Sequence, residues 1–154
     1  MNEIIIRHAK ADDYQEIEKI MKQVHALHVG WRPDVYRHTD TVLDDDMFQN
    51  ALKDNALLVA EADGHVAGML LYMIRHTEGP GRVTKNSLFV DSIAVEESYR
   101  GQGIGHKLLD FTKTIRESQN LDGIELQVNA RNLAALHMYQ SYGFTEKSIN
   151  LELH

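Results

Sequence analysis

The period of the apolar positions changes several times along the chain, and each change marks an element. Glu3–His8, EIIIRH, is a short apolar run and reads as a first strand. Ala9 to Asp13 turns the chain, with Asp12 and Gln15 spaced as in a capping box. Ile17, Ile20, Met21, Val24 and Leu27 then trace one face of a helix. Gly30 and Pro33 break that pattern, so His25 to Asp40 reads as an irregular segment. It carries Trp31, Tyr36 and the histidines His25, His28 and His38. Helical spacing returns at Met47, Phe48, Ala51 and Leu52, behind the acidic run Asp44-Asp45-Asp46. Carboxylates at that place suit the positive end of a helix, which favours capping over a metal site.

Ala56–Ala62 reads as a strand, and Asp63-Gly64 is a two-residue hairpin signal that sends the chain back along His65–Arg75. Gly68 within the returning strand marks either a bulge or a close approach. His76–Asn86 is rich in turn formers and is expected as an exposed loop before the strand Ser87–Val95. Ile104, Leu108, Phe111 and Ile115 then recur at helical spacing to about Asn120. Gly123–Val128 is expected as a strand beside Ser87–Val95. Asn132 caps a helix carrying Ala135, Met138, Tyr139 and Tyr142, and Gly143 suits the left-handed position after its end. Phe144–Leu153 alternates and is expected as a last strand. No repeat or linker divides the chain, so residues 1–154 form one domain.

Composition narrows the chemistry. The 154 residues are 43% hydrophobic and 25% charged, ordinary for a globular domain with a real core. There is no cysteine, which excludes disulfides, thiolate metal sites and a cysteine nucleophile. His25 and His28 share a helical face, but no H-E-x-x-H pattern accompanies them, so no metal is expected. A formal net charge of −7 argues against nucleic acid as a partner and leans towards a cationic substrate such as an amine. No apolar run is long enough to cross a membrane, and the N-terminal residues lack the marks of a signal peptide, so a cytoplasmic location is expected.

Between the strand Ser87–Val95 and its helix stands Arg100-Gly101-Gln102-Gly103-Ile104-Gly105. Alternating glycines can simply make a tight turn. They also clear side chains from a helix start whose first N–H groups lack intrahelical partners and attract negative charge. The place suits a pyrophosphate, with Arg100 adding a positive charge. The glycines fit neither G-x-G-x-x-G nor a P-loop, since no Gly-Lys-Ser/Thr follows, which disfavours a nucleotide hydrolase. The fuller string, Val95 followed by Arg100-Gly101-x-Gly103-Ile104-Gly105, resembles the coenzyme-A-binding motif of the GNAT superfamily of acyl-CoA-dependent N-acyltransferases. Asn132-x-x-Ala135-x-x-x-Tyr139-x-x-x-Gly143-Phe144 resembles the second signature of that superfamily. The two strings stand in the family's order and at its separation, and the likeness covers most of the chain.

The resemblance implies an α+β fold, an α/β/α sandwich around a mixed, mostly antiparallel sheet of six to seven strands with about four helices. It implies transfer of an acetyl group from acetyl-CoA to a primary amine, with no metal and by direct attack on the thioester. A non-catalytic acyl-CoA sensor is the alternative. Family habit suggests a homodimer. Arg100, Gly101, Gln102, Gly103, Ile104 and Gly105 would hold the pyrophosphate, and Ile93, Ala94, Val95 and Asn132 the amide-bearing arm. Tyr139 would sit beside the sulfur and protonate the departing thiolate, with Tyr142 as a weaker substitute. Strand alternation puts Phe89, Asp91, Ile93 and Val95 on one face, where the family often places a carboxylate; Asp91 is the acid there and is nominated as general base. Where some members carry a glutamate two residues earlier, this chain has Phe89, and Glu61, His25 and His28 stay open as alternatives. His28, Trp31 and Tyr36 are expected on the acceptor side.

Overall fold

The computed structural model describes residues 3–154. Five strands form one sheet in sequence order: β1 (Ile4–His8), β2 (Leu57–Ala62), β3 (His65–Gly79), β4 (Arg82–Val95) and β5 (Gly123–Leu126). The first three pairings are antiparallel and β4–β5 is parallel. The helices are α1 (Tyr14–Trp31), α2 (Asp45–Lys53), α3 (Ile104–Ser118) and α4 (Leu133–Tyr142). The sheet therefore separates two cores. Ile17, Ile20 and Phe48 pack with Leu57, Val59 and Met69 on the α1/α2 face. Ile104, Leu108, Leu109 and Tyr139 pack with Leu58, Leu70, Leu88 and Val90 on the α3/α4 face.

Several local expectations hold. Asp63 and Gly64 both take left-handed φ, 54° and 78°, which makes the β2–β3 turn the tight kind that matches strand twist. Asp44 caps α2, its Oδ1 accepting the Met47 N–H at 2.8 Å. Gly68 meets both of its expectations. The pairing shifts from Ala60↔Gly68 to Glu61↔Val66, so a bulge lies beside it. A Cβ at Gly68 would stand 2.9 Å from Ile104 Cγ2 and 3.2 Å from the Ala94 carbonyl oxygen, so only glycine lets α3 lie this close to the sheet.

Other expectations are corrected. His76–Asn86 is not a loop: β3 and β4 continue as a long ribbon, pairing through Thr77↔Lys85 and Gly79↔Arg82, with the turn confined to Pro80 and Gly81. The polar residues there reflect a ribbon exposed on both faces, which side-chain polarity cannot tell from a loop. Helix α1 runs through Gly30 to Trp31, so the break expected at Gly30 falls after Trp31, with His25 and His28 inside the helix as their spacing suggests. The cap expected of Asp12 falls to Asp13, which accepts the Lys10 N–H at 2.7 Å and pairs with Arg7 at 2.8 Å. Strand β5 ends at Leu126, and 144–153 forms no strand despite its alternation. Five strands stand where six to seven were expected, because Ile149, Leu151 and Leu153 find no face to cover and are 72%, 91% and 98% exposed.

Candidate active site

Strand β4 changes character at Asp91. Up to Val90 it is paired on both edges: Tyr72↔Val90 and Met73↔Phe89 towards β3, Ser87↔Gly123 through Val90↔Leu126 towards β5. At Asp91 the register towards β3 slips, from Tyr72↔Val90 to Leu71↔Ser92, leaving Asp91 as an extra residue. Beyond it β4 keeps β3 to the pair Gly68↔Val95, but among the described residues it has no partner on the β5 side. The two parallel strands diverge there.

The bulge overturns the expected alternation. Leu88 and Val90 belong to the α3 core, and after the extra residue Ile93 and Val95 pack against that same core. Ala94 faces the α1 core instead. Phe89 and Ile93 therefore lie on opposite faces rather than one. A bulge adds one residue to a two-residue period, which a pattern of apolar positions does not register.

Where the strands part, a cavity of about 530 Å³ opens. Asp91, Ser92, Ile93 and Ala94 line it from β4, and Gln127, Val128 and Asn129 from the continuation of β5. Asn132 and Tyr139 reach it from α4, and His25 and His28 from α1. Of the two tyrosines on α4, Tyr139 lines the cavity and Tyr142 does not. Tyr139 is 8% exposed, and burial alone pushes its phenol up to about 12. Its hydroxyl has no hydrogen-bond partner among the described residues, so it remains a protonated donor across the neutral range. Tyr142 is placed elsewhere: its hydroxyl donates to Asp110 Oδ1 at 2.6 Å and its ring stacks on Phe144. Asn132 caps α4 through Oδ1, accepting the Ala135 N–H at 3.2 Å, which leaves its amide NH2 free for the cavity.

Asp91 is the one carboxylate lining the cavity among the described residues, exposed and accepting the Ser92 hydroxyl at 3.3 Å. Glu61 stands apart, held by Arg7 at 3.3 Å on the sheet's other end. His25 is engaged through Nε2, which donates to the Arg37 carbonyl at 2.7 Å. His28 is different. Its Nδ1 is buried without a partner, and burial, then the neighbouring His25, hold its pKa below the usual histidine range. It therefore stands neutral at pH 7. Tyr36 lines the cavity and tilts against the His28 ring at 5.0 Å. Trp31 does not reach the cavity; it packs edge-on behind His28 at 5.4 Å.

The glycine-rich loop lies outside this cavity, at the surface beyond the free end of β4. Gly101 and Gly103 have φ of 82° and 78°, a region that L side chains rarely adopt. Gly103 is the N-cap of α3 and no side chain caps that end, so the first N–H groups stay available. Arg100 is exposed, and its Nε donates to the Val95 carbonyl at 3.2 Å, anchoring the guanidinium to the end of β4. Gln102 is exposed, whereas Ile104 is 2% exposed with its side chain in the α3 core, so only its backbone can serve a ligand. Two residue sets escaped the sequence reading: Gln127–Asn129, which looked like strand and loop, and Arg75, a lone cation at the end of an apolar strand.

The chain thus carries an uncapped helix start, a strand with one free edge and a cavity lined by a phenol that has no hydrogen-bond partner among the described residues. The profile of the Acetyltransferase (GNAT) family matches residues 15–144. The chain is 32% identical over 150 residues to the L-amino acid N-acetyltransferase AaaT of Escherichia coli strain K12, covering 94% of this chain and 84% of that protein. Among solved structures, a variant of the BH1408 protein from Bacillus halodurans has a TM-score of 0.94 at 27% identity, over 97% of this chain and 98% of that one. The aminoglycoside N-acetyltransferase AAC(6')-Iy, in complex with a bisubstrate analogue of CoA, shares the fold with a TM-score of 0.75 at 20% identity, over 99% and 97% of the two chains. The chain belongs to the GNAT acetyltransferase family and is an acetyl-transfer enzyme.

Proposed function

We propose that the enzyme moves an acetyl group from acetyl-CoA to a primary amine by direct attack on the thioester. The observation that carries this reading is the cleft where β4 and β5 part, lined by Tyr139, whose hydroxyl has no hydrogen-bond partner among the described residues. Acetyl-CoA supplies the thioester carbonyl that the amine attacks. The N–H groups at the start of α3, with Arg100, hold the pyrophosphate. The free edge of Ile93–Val95 and the Asn132 amide hold the amide-bearing arm, and a backbone N–H of that edge polarises the carbonyl. Asp91 takes the proton from the amine, and Tyr139 returns one to the sulfur. Each of these groups has the donor or acceptor its role needs, and none is already committed to another partner in full.

Release of free CoA from acetyl-CoA, with a panel of amines, tests the reading on wild type and Tyr139→Phe. Loss of a positioned acid should lower turnover by roughly 10²–10⁴-fold, with affinity for acetyl-CoA changed only a few-fold. Equal turnover would remove Tyr139 as the acid. Tight acetyl-CoA binding with no release towards any amine would turn the reading to a sensor.

A further inference from the structure

The cavity carries one arginine, Arg75, and one carboxylate, Asp91, among the described residues. The proposed chemistry uses Asp91 and leaves Arg75 without a task. We infer that the acceptor is an α-amino acid, its carboxylate held by the Arg75 guanidinium while its amine faces Asp91. This rests on the reading above, that the cavity takes an amine for acetyl transfer.

The placement comes from the β3–β4 ribbon. Arg75 pairs with Ser87, and the neighbouring same-face pair is Met73↔Phe89, so Arg75 and Phe89 are diagonal neighbours. The guanidinium carbon lies 3.3 Å from the centroid of the Phe89 ring. Stacking on the ring restrains the plane of the guanidinium and leaves its N–H edge for a ligand. Arg75 forms no ion pair among the described residues, whereas Arg7 and Arg32 each hold two carboxylates. A planar fork held on an apolar support is suited to a bidentate carboxylate.

Arg75 and Asp91 line the same cavity, one offering a cation and the other an anion. A short zwitterion presents the opposite charge to each, carboxylate to guanidinium and amine to carboxylate. Met21, Val24, Tyr36 and Met69 line the same cavity and favour an apolar side chain on that molecule. A polyamine would meet repulsion at Arg75, and a simple amine would leave its N–H edge unmatched.

The test compares L-leucine with isopentylamine and L-phenylalanine with phenethylamine, pairs that differ by the carboxylate alone. For wild type, kcat/KM is expected to be roughly 10–100-fold higher for the acid in each pair, the scale of one charge-assisted contact. Arg75→Met should remove that preference by lowering kcat/KM for the acids, with the amines changed less than about 3-fold. Arg75→Lys should restore part of it. Acetyl-CoA affinity and melting temperature, measured on each variant, should match wild type. Amines acetylated as well as the acids, or a preference that survives Arg75→Met, would overturn this inference and leave the acetyl-transfer reading intact. Silence towards every acceptor, with acetyl-CoA still bound, would fail the parent reading and this inference with it.

Discussion

The two halves of β4 are one strand with opposite duties. Ser87–Val90 is paired on both edges and buried throughout, between β3 and β5. Asp91–Val95 has one paired edge, a bulged residue at its start and a cavity beside it. Leu88 is fully buried while Asp91, three residues on, is exposed. A backbone paired on both edges has no hydrogen-bonding capacity left for a ligand. A backbone paired on one edge keeps half of its N–H and C=O groups for one, at the cost of contacts that would have held the fold. The change from scaffold to site is made by one extra residue rather than by a change of element.

The comparison breaks first at the scaffold end. Leu88→Ala should destabilise the protein by about 2–5 kcal/mol, the range for a buried leucine whose site cannot fully collapse. Thermal melts should register that as a fall of very roughly 5–15 °C, with KM for acetyl-CoA unchanged. A smaller effect falls at the site end. Asp91→Asn keeps shape and removes the proposed base, so turnover should drop about 100-fold while the melting temperature stays within about 1 °C, as for most exposed positions. If Asp91→Asn melted as early as Leu88→Ala, the division between the halves would be wrong. If it turned over like wild type, the base would lie elsewhere, with His28 next in line.

How much of this was legible in the sequence follows the same boundary. The signatures around Arg100–Gly105 and Asn132–Phe144 are local strings, and they pointed to the fold, the four helices and Tyr139 without any need for pairing. The bulge was invisible because it is a property of two strands in register, and with it went the face assignment of Phe89 and Ile93. The ribbon 76–86 looks like a loop in the sequence because both of its faces are exposed. Phe144–Leu153 looks like a strand because alternation is a local trait, whereas a strand needs a neighbour. Arg75 carries no signal of its own for a related reason: its meaning depends on Phe89 across the ribbon, fourteen positions away.

The smallest effect sharpens the comparison on the cavity's far wall, where α1 presents His28. Its Nδ1 is buried without a partner, and its pKa is held low by burial and then by His25. A depressed histidine pKa means that the folded state prefers the neutral ring. As pH falls through the free-histidine value near 6.5, the unfolded chain takes up the proton first. Stability must then decrease towards acid, over the window between the free value and the lowered one. Between pH 7 and 5, wild type should lose more melting temperature than His28→Gln, by on the order of 1 °C for a half-buried ring. Carboxylates titrating below that window are common to both proteins and cancel in the difference. Equal losses would mean that His28 is solvated in both states, and the cavity wall would then be wetter and more open than its packing against Trp31 and Tyr36 implies.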